Sequence, residues 1–227
     1  MIRIRTITTL LLATLPLAGF AAPIAFTDPA AFQAAVAGLN NPTSSTLTFE
    51  GQSDGDLIAS GDTVEGITFT YDFGGVSLEV RNEFDTTSPP NYLGTDDGGV
   101  LQDGDEFTLS FAASNAVGLY FTIGDFLQFG DDIQLQVGAF IADVDPLGET
   151  QVFGDGGVEY FIGIVDTMST FTSADILNVG GGFFLYTVDD ISLAQANPDN
   201  PNPVPAPGAL LLVSIGLGLM AVRRRRA

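Results

Sequence analysis

Cysteine, histidine, lysine and tryptophan are all missing from the 227 residues, and the seven basic side chains, all arginine, face 28 acidic ones. Each absence closes a chemistry. Without Cys there is no thiol nucleophile and no disulfide; without His there is no imidazole ligand and no Ser-His relay; without Lys there is no Schiff base. What survives is oxygen chemistry. Asp, Glu, Asn and backbone carbonyls suit hard cations such as calcium, and paired carboxylates can act as acid and base.

The formal charge of −21 is unevenly placed. Arg3 and Arg5 lie at the front and Arg223, Arg224, Arg225 and Arg226 at the back, so Arg81 is the one basic side chain between Ala22 and Pro207. That stretch also holds all 28 acids, from Asp28 to Asp199, and its net charge is therefore −27. Such a body repels phosphate backbones and anionic lipid, since binding either needs clustered Lys and Arg. Nucleic acid is excluded as a partner. The hydrophobic fraction of 45% excludes a wholly disordered chain, and the length suits one globular domain.

Both ends carry patterns of their own. Arg3 and Arg5, the apolar run Ile7 to Leu17 and the small-x-small site Gly19-Phe20-Ala21 read as an export signal over residues 1–21, cleaved after Ala21. An N-terminal membrane anchor would need an apolar run of about 20 residues. Residues 22–196 form the body, and residues 197–203 a polar Pro/Asn spacer that cannot pack. Residues 204–227 then bring Val204-Pro205-Ala206-Pro207, an apolar run from Gly208 to Val222, and the four arginines. As a helix that run spans about 22 Å against a hydrocarbon core of about 30 Å, a marginal transmembrane anchor. Its positive flank stays on the cytoplasmic side. A plain single-span anchor is the alternative reading.

This three-part tail resembles the PEP-CTERM sorting signal of exported proteins from Gram-negative bacteria that make extracellular polysaccharide. Val204, Pro205 and Pro207 match the family's Val-Pro-Glu-Pro motif, with Ala206 where the family has Glu. The resemblance implies recognition by an exosortase-type sorting enzyme. It also implies passage through the inner membrane by the C-terminal helix, and a destination at the outer surface or in the extracellular matrix.

In the body, Asp28-Pro29 opens one helix, with Asp28 as N-cap, Pro29 in the first turn, and Phe32, Ala35, Val36 and Leu39 on one side. Everything afterwards is short β-branched and aromatic segments divided by Gly, Asp, Asn and Pro. Ten strands are predicted, at Thr46–Glu50, Ile67–Tyr71, Val76–Asn82, Glu106–Ala112, Ala116–Ile123, Ile133–Ala142, Thr150–Phe153, Val158–Ile164, Phe171–Asn178 and Phe183–Leu193. Phe107, Leu109 and Phe111 alternate with Thr108, Ser110 and Ala112, so such segments have one buried face. The expectation is an all-β fold, a jelly-roll-like antiparallel β-sandwich with one short N-terminal helix.

The body is similar, at Phe26 to Phe32, Leu47 to Gly51, Phe171 to Ile176 and Tyr186 to Leu193, to domains that carry PEP-CTERM tails. The last two segments resemble the closing strands of carbohydrate-binding-module jelly rolls, where a first-strand Glu and a last-strand Asp share a structural calcium ion. Carried over, the resemblance implies Glu50 and Asp190 as calcium ligands, with Asp189 as a neighbouring candidate. Two solvated strand-end acids are the alternative.

The remaining acidic clusters, Asp54-Gly55-Asp56, Asp96-Asp97, Asp103-Gly104-Asp105-Glu106, Asp131-Asp132 and Asp143-Val144-Asp145, read as turns. Five Tyr beside 18 Phe are a poor set of sugar platforms, and most of these rings read as core. Gly180-Gly181-Gly182 reads as a tight hairpin feeding a strand, not a phosphate loop, because no helix follows. The sequence therefore points to an exported, sorted protein with a non-catalytic acidic β-sandwich, adhesive or structural within an exopolysaccharide matrix. A module binding the producer's own polysaccharide is the alternative. A carboxylate-based glycoside hydrolase or lyase ranks lower, because 28 acids bring some pair to a suitable separation by chance.

Overall fold

Alternating apolar and polar residues build two antiparallel sheets that close on one hydrophobic core in a sandwich-like arrangement. The computed structural model describes residues 22–124, 127, 132–179 and 183–197. Ala21, the Gly180 to Gly182 segment, Val204 to Pro207 and Arg223 to Arg226 lie outside the described residues.

The larger sheet runs in the order Ile24–Phe26, Val158–Val165, Ala116–Ile123, Leu185–Gln195, Tyr92–Thr95, Leu78–Arg81, Leu57–Ile58. Thr43–Leu47 and Leu101–Gln102 also pair with Leu185–Gln195, and Glu149–Val152 pairs with Val158–Val165. The second sheet runs Phe140–Asp143, Gln134–Val137, Phe171–Leu177, Phe107–Ser114, Ile67–Tyr71, Thr63–Val64. Between them Leu109, Leu119, Phe121, Tyr160, Ile162, Ile176 and Val188 are fully buried. Phe107, Leu109 and Phe111 enter the core from one strand, as their alternation predicts.

The helix Pro29–Ala37 covers part of the larger sheet's outer face. Asp28 caps it, accepting from the Ala30 N–H at 2.8 Å, and Phe32, Val36 and Leu39 pack on Ala116, Phe161, Val165 and Ala194. Gly118 and Gly163 stand opposite each other in the ladder beneath it. A Cβ at Gly163 would lie 2.6 Å from Phe32 Cδ2, and one at Gly118 would lie 2.8 Å from Phe161 Cζ. The paired glycines are thus the flat seat into which the Phe32 ring settles. This cover buries Phe161, Gly163 and Val165, so this half of Val158–Val165 does not alternate between core and solvent.

The described residues form sixteen strands, not ten. The predicted Thr46–Glu50 strand sits earlier, at Thr43–Leu47, and Phe49 turns the chain away at φ 59. The predicted Ile133–Ala142 strand is a hairpin, Gln134–Val137 and Phe140–Asp143, folded at Gly138 with φ 58. The acidic turns close on their own backbone: Asp56 accepts from Ser53 N–H at 2.7 Å, Asp105 from Gln102 N–H at 2.8 Å, and Asp145 from Leu147 N–H at 3.0 Å.

Candidate functional site

The last strand sets the site. Along Leu185–Gln195, Tyr186 and Val188 face the core, so Thr187 and Asp189 emerge on the outer face beside the helix-covered half. At Asp190 the pairing with Ala116–Ile123 slips between Gly118 and Tyr120, and Asp190 takes φ 49. This bulge returns Ile191 to the core. It also brings two consecutive carboxylates within reach of one serine.

That serine belongs to a strap, residues 82–91, laid across the outer face. Thr86 Oγ1 donates to Asp189 Oδ2 at 2.7 Å, and the Ser88 N–H donates to the same oxygen at 2.9 Å. Ser88 Oγ lies 3.0 Å from Asp189 Oδ2 and 2.8 Å from Asp190 Oδ1. The Asp190 N–H donates to Asp189 Oδ1 at 2.7 Å. Between these, Thr87 Oγ1 reaches a different buried acid, donating to Glu159 Oε2 at 2.6 Å, while Thr150 Oγ1 donates to Glu159 Oε1 at 2.5 Å. Three successive hydroxyls of the strap therefore pin it to the carboxylates of two central strands.

Glu50 joins from the side. Thr43–Leu47 pairs with the last strand so that Leu47 faces Ile191, which carries Glu50 to the neighbourhood of Asp190. Glu50 Oε1 accepts from the Asn91 N–H at 2.8 Å, and Asn91 Nδ2 holds the Glu50 turn by donating to Phe49 O and Gln52 O, each at 3.0 Å. Burial pushes the Asp189 carboxyl up to about 7, against the hydrogen bonds from Ser88 and Thr86 that favour its charge. Asp190 is also raised, first by burial and then by the charge of Glu50, with the Ser88 hydroxyl opposing. Half-buried Tyr120 is pushed to about 12 by burial and by Glu159, Asp190 and Asp28, so it stays a phenol.

These contacts separate the three candidate calcium ligands. Both oxygens of Asp189 are taken up by the strap and by the Asp190 N–H. They do not fit a ligand role. Glu50 Oε2 and Asp190 Oδ2 accept no hydrogen bond among the described residues. Among the described residues no group of three His, Cys, Asp or Glu side chains is placed to hold a metal ion.

A cleft of about 240 Å³ opens at the other end of the same face, lined by Phe84, Thr122, Leu185, Thr187 and the Asp155-Gly156-Gly157 turn, among others. No exposed tyrosine platform accompanies it: Tyr92, Tyr160 and Tyr186 are buried, and Tyr71 and Tyr120 are half-buried. The strap itself had no sequence signal beyond the hydroxyl run Thr86-Thr87-Ser88, which is equally a turn composition.

No family model matches the chain, and no curated protein matches it. Among solved structures it is similar to a cleaved adhesin domain of Lys-gingipain, with 14% identity and a TM-score of 0.41, over 66% of this chain and 99% of that one.

Proposed function

We propose that this chain is an exported protein, sorted to the cell surface or extracellular matrix, whose acidic β-sandwich is a non-catalytic adhesive or structural unit among exopolysaccharide. The observation that carries the reading is the tail: a Val-Pro-Ala-Pro motif, an apolar run too short for an ordinary span, and Arg223 to Arg226 as a cytoplasmic stop. The sandwich suits the role. Its buried acids Asp189 and Glu159 are tied into hydroxyl contacts that hold the strap, an arrangement that rigidifies a surface. In this reading the two sheets are a jelly-roll-like fold, residues 1–21 are removed on export, and an exosortase-type enzyme acts at Val204 to Pro207. Glu50 and Asp190 would hold a structural calcium ion, which would supply charge neutralisation where two carboxylates approach.

The test is mass-spectrometric mapping of the mature protein from its native host, with cell fractionation. Loss of Arg223 to Arg226 and recovery from the outer surface or matrix are expected. A mature protein that keeps the four arginines and stays in the inner membrane defeats the sorting reading.

A further inference from the structure

We propose that the cleft between the strap and the 153–157 turn binds a small aliphatic diamine, its methylene stem laid on Phe84 and Leu185 and its ammonium groups held by Asp85 and Asp155 at one end and Glu83 at the other. The first observation is apolar surface left in water. Phe84 is 45% exposed and Leu185 42%, and both line the cleft together with Val100, Ile123 and Tyr186. The Phe84 ring is steadied against Tyr92, with centroids 6.2 Å apart, and Gly124, Gly156 and Gly157 keep the mouth free of side chains. A concave apolar surface rimmed by polar groups favours any ligand that covers it.

The second observation is acid on both sides of that ring. Glu83 and Asp85 flank Phe84 in the strap. The Asp85 N–H donates to Asp155 Oδ2 at 3.0 Å, and the Gly157 N–H to Asp155 Oδ1 at 2.9 Å, which fixes the Asp155 carboxylate at the rim. The Asp85 carboxylate turns to the same loop, since a Cβ at Gly154 would lie 3.8 Å from its Oδ2. Two exposed carboxylates therefore meet at this end, and neither has a cationic partner among the described residues. At the other end Glu83 Oε2 approaches Gly99, next to the lining residue Val100; a Cβ at Gly99 would lie 3.0 Å from it. Arg81 stands nearby but is divided between Glu83 at 2.6 Å and Glu79 at 3.0 Å.

Charge and shape select the ligand. The body carries −27, a field that concentrates cations and repels anions. An apolar middle with acid at both ends matches a methylene chain with an ammonium at each end. Each ammonium brings three donors and no acceptor, and each Asp155 oxygen, having accepted one N–H, can accept another bond. A metal ion would use the carboxylates and leave Phe84 and Leu185 wet. A lysine side chain would cover them and bring one ammonium only. A quaternary ammonium has no N–H for the carboxylates. The volume of about 240 Å³ falls below the roughly 300–1,000 Å³ of drug-sized pockets, which suits a narrow chain. The site lies wholly within the body, so it stands or falls apart from the sorting of the tail.

The test is isothermal titration calorimetry on the full-length chain in a non-ionic detergent, with diaminopentane, pentanediol, acetyl-lysine methylamide and calcium chloride as probes. Diaminopentane is expected to bind about tenfold more tightly than the lysine amide, and pentanediol not measurably. Raising the ionic strength should weaken the diamine. Asp85→Asn and Phe84→Ala should each weaken it about tenfold. Asp85→Asn should melt no lower than the parent, because it removes a charge that sits beside other acids. Glu106→Gln removes the same charge just ahead of Phe107–Ser114 in the second sheet, and it should leave the affinity unchanged. Absence of diamine binding, unchanged affinity in Asp85→Asn or Phe84→Ala, or an equal loss in Glu106→Gln would overturn the proposal. So would equal affinity for pentanediol or the lysine amide, or calcium that binds more tightly than the diamine and is lost in Asp85→Asn.

Discussion

Replacing Asp189 by Asn probes the strap where its contacts are densest. The carboxyl is buried and raised from 3.8 to about 7. Between those values the unfolded chain has lost a proton that the folded chain keeps, so stability falls as pH rises across the window. One proton over roughly three pH units caps the loss at about 4 kcal/mol, complete above pH 7 and absent below pH 4. Asn cannot titrate. With its carbonyl in the place of Oδ2 it still accepts from Thr86 Oγ1 and the Ser88 N–H, but its amide then meets the Asp190 N–H, donor against donor. That mismatch costs about 1–3 kcal/mol at every pH. Urea unfolding of both proteins from pH 4.5 to 8.5 should therefore find the parent more stable at the acid end. The gap should close by about 3 kcal/mol towards the alkaline end and approach or pass zero. A difference that stays constant across the range would refute the reasoning, and carboxyl-carbon NMR of the parent would locate the titration directly.

The seat under the helix should be equally legible in unfolding experiments. Phe32→Ala is expected to cost about 3–5 kcal/mol and Gly163→Ala about 1–3 kcal/mol through its clash with the Phe32 ring. The double variant should be less unstable than the sum, and strict additivity would mean that the ring does not rest on Gly163. Arg81→Met leaves Glu79, buried to 8% exposure, without its cation. A loss of about 1–3 kcal/mol is expected in urea unfolding, nearly all of it from Glu79 because Glu83 is half exposed. If calcium bridges Glu50 and Asp190, melting temperature should rise with millimolar calcium and fall with chelator, and Glu50→Gln should abolish the response. A parent protein indifferent to chelator ends that proposal.

How much of the fold could be read in advance depended on element length and on how many faces were buried. Ile67–Tyr71 and Ala116–Ile123 have the predicted bounds, and the Asp28 cap with its Phe32, Val36 and Leu39 stripe is as expected. Short strands left no such trace. Leu57–Ile58, Thr63–Val64 and Leu101–Gln102 are two residues long, below any detectable period. Tyr92–Thr95 is buried at all four positions, one of them Gly94, whose added Cβ would run into the Gly99 carbonyl. It is a strand made by tertiary contact, which local alternation cannot announce.

The site divides along the same line. Pairing of Thr43–Leu47 with the closing strand is enough to carry Glu50 towards Asp190. The role of Asp189 lay beyond that logic. Its partners Thr86 and Ser88 are about a hundred residues away in sequence, and polar contacts of that separation have no period to reveal them. The bulge at Asp190 is what couples the two halves. Without the extra residue, strict alternation would put Asp190 on the core side with Val188, where a carboxylate is costly to bury. With it, Asp190 turns outward beside Asp189, Ser88 can reach both, and the strap gains the anchor that also fixes one wall of the Phe84 and Thr187 cleft. A local irregularity in one strand thus shapes both polar features of the outer face.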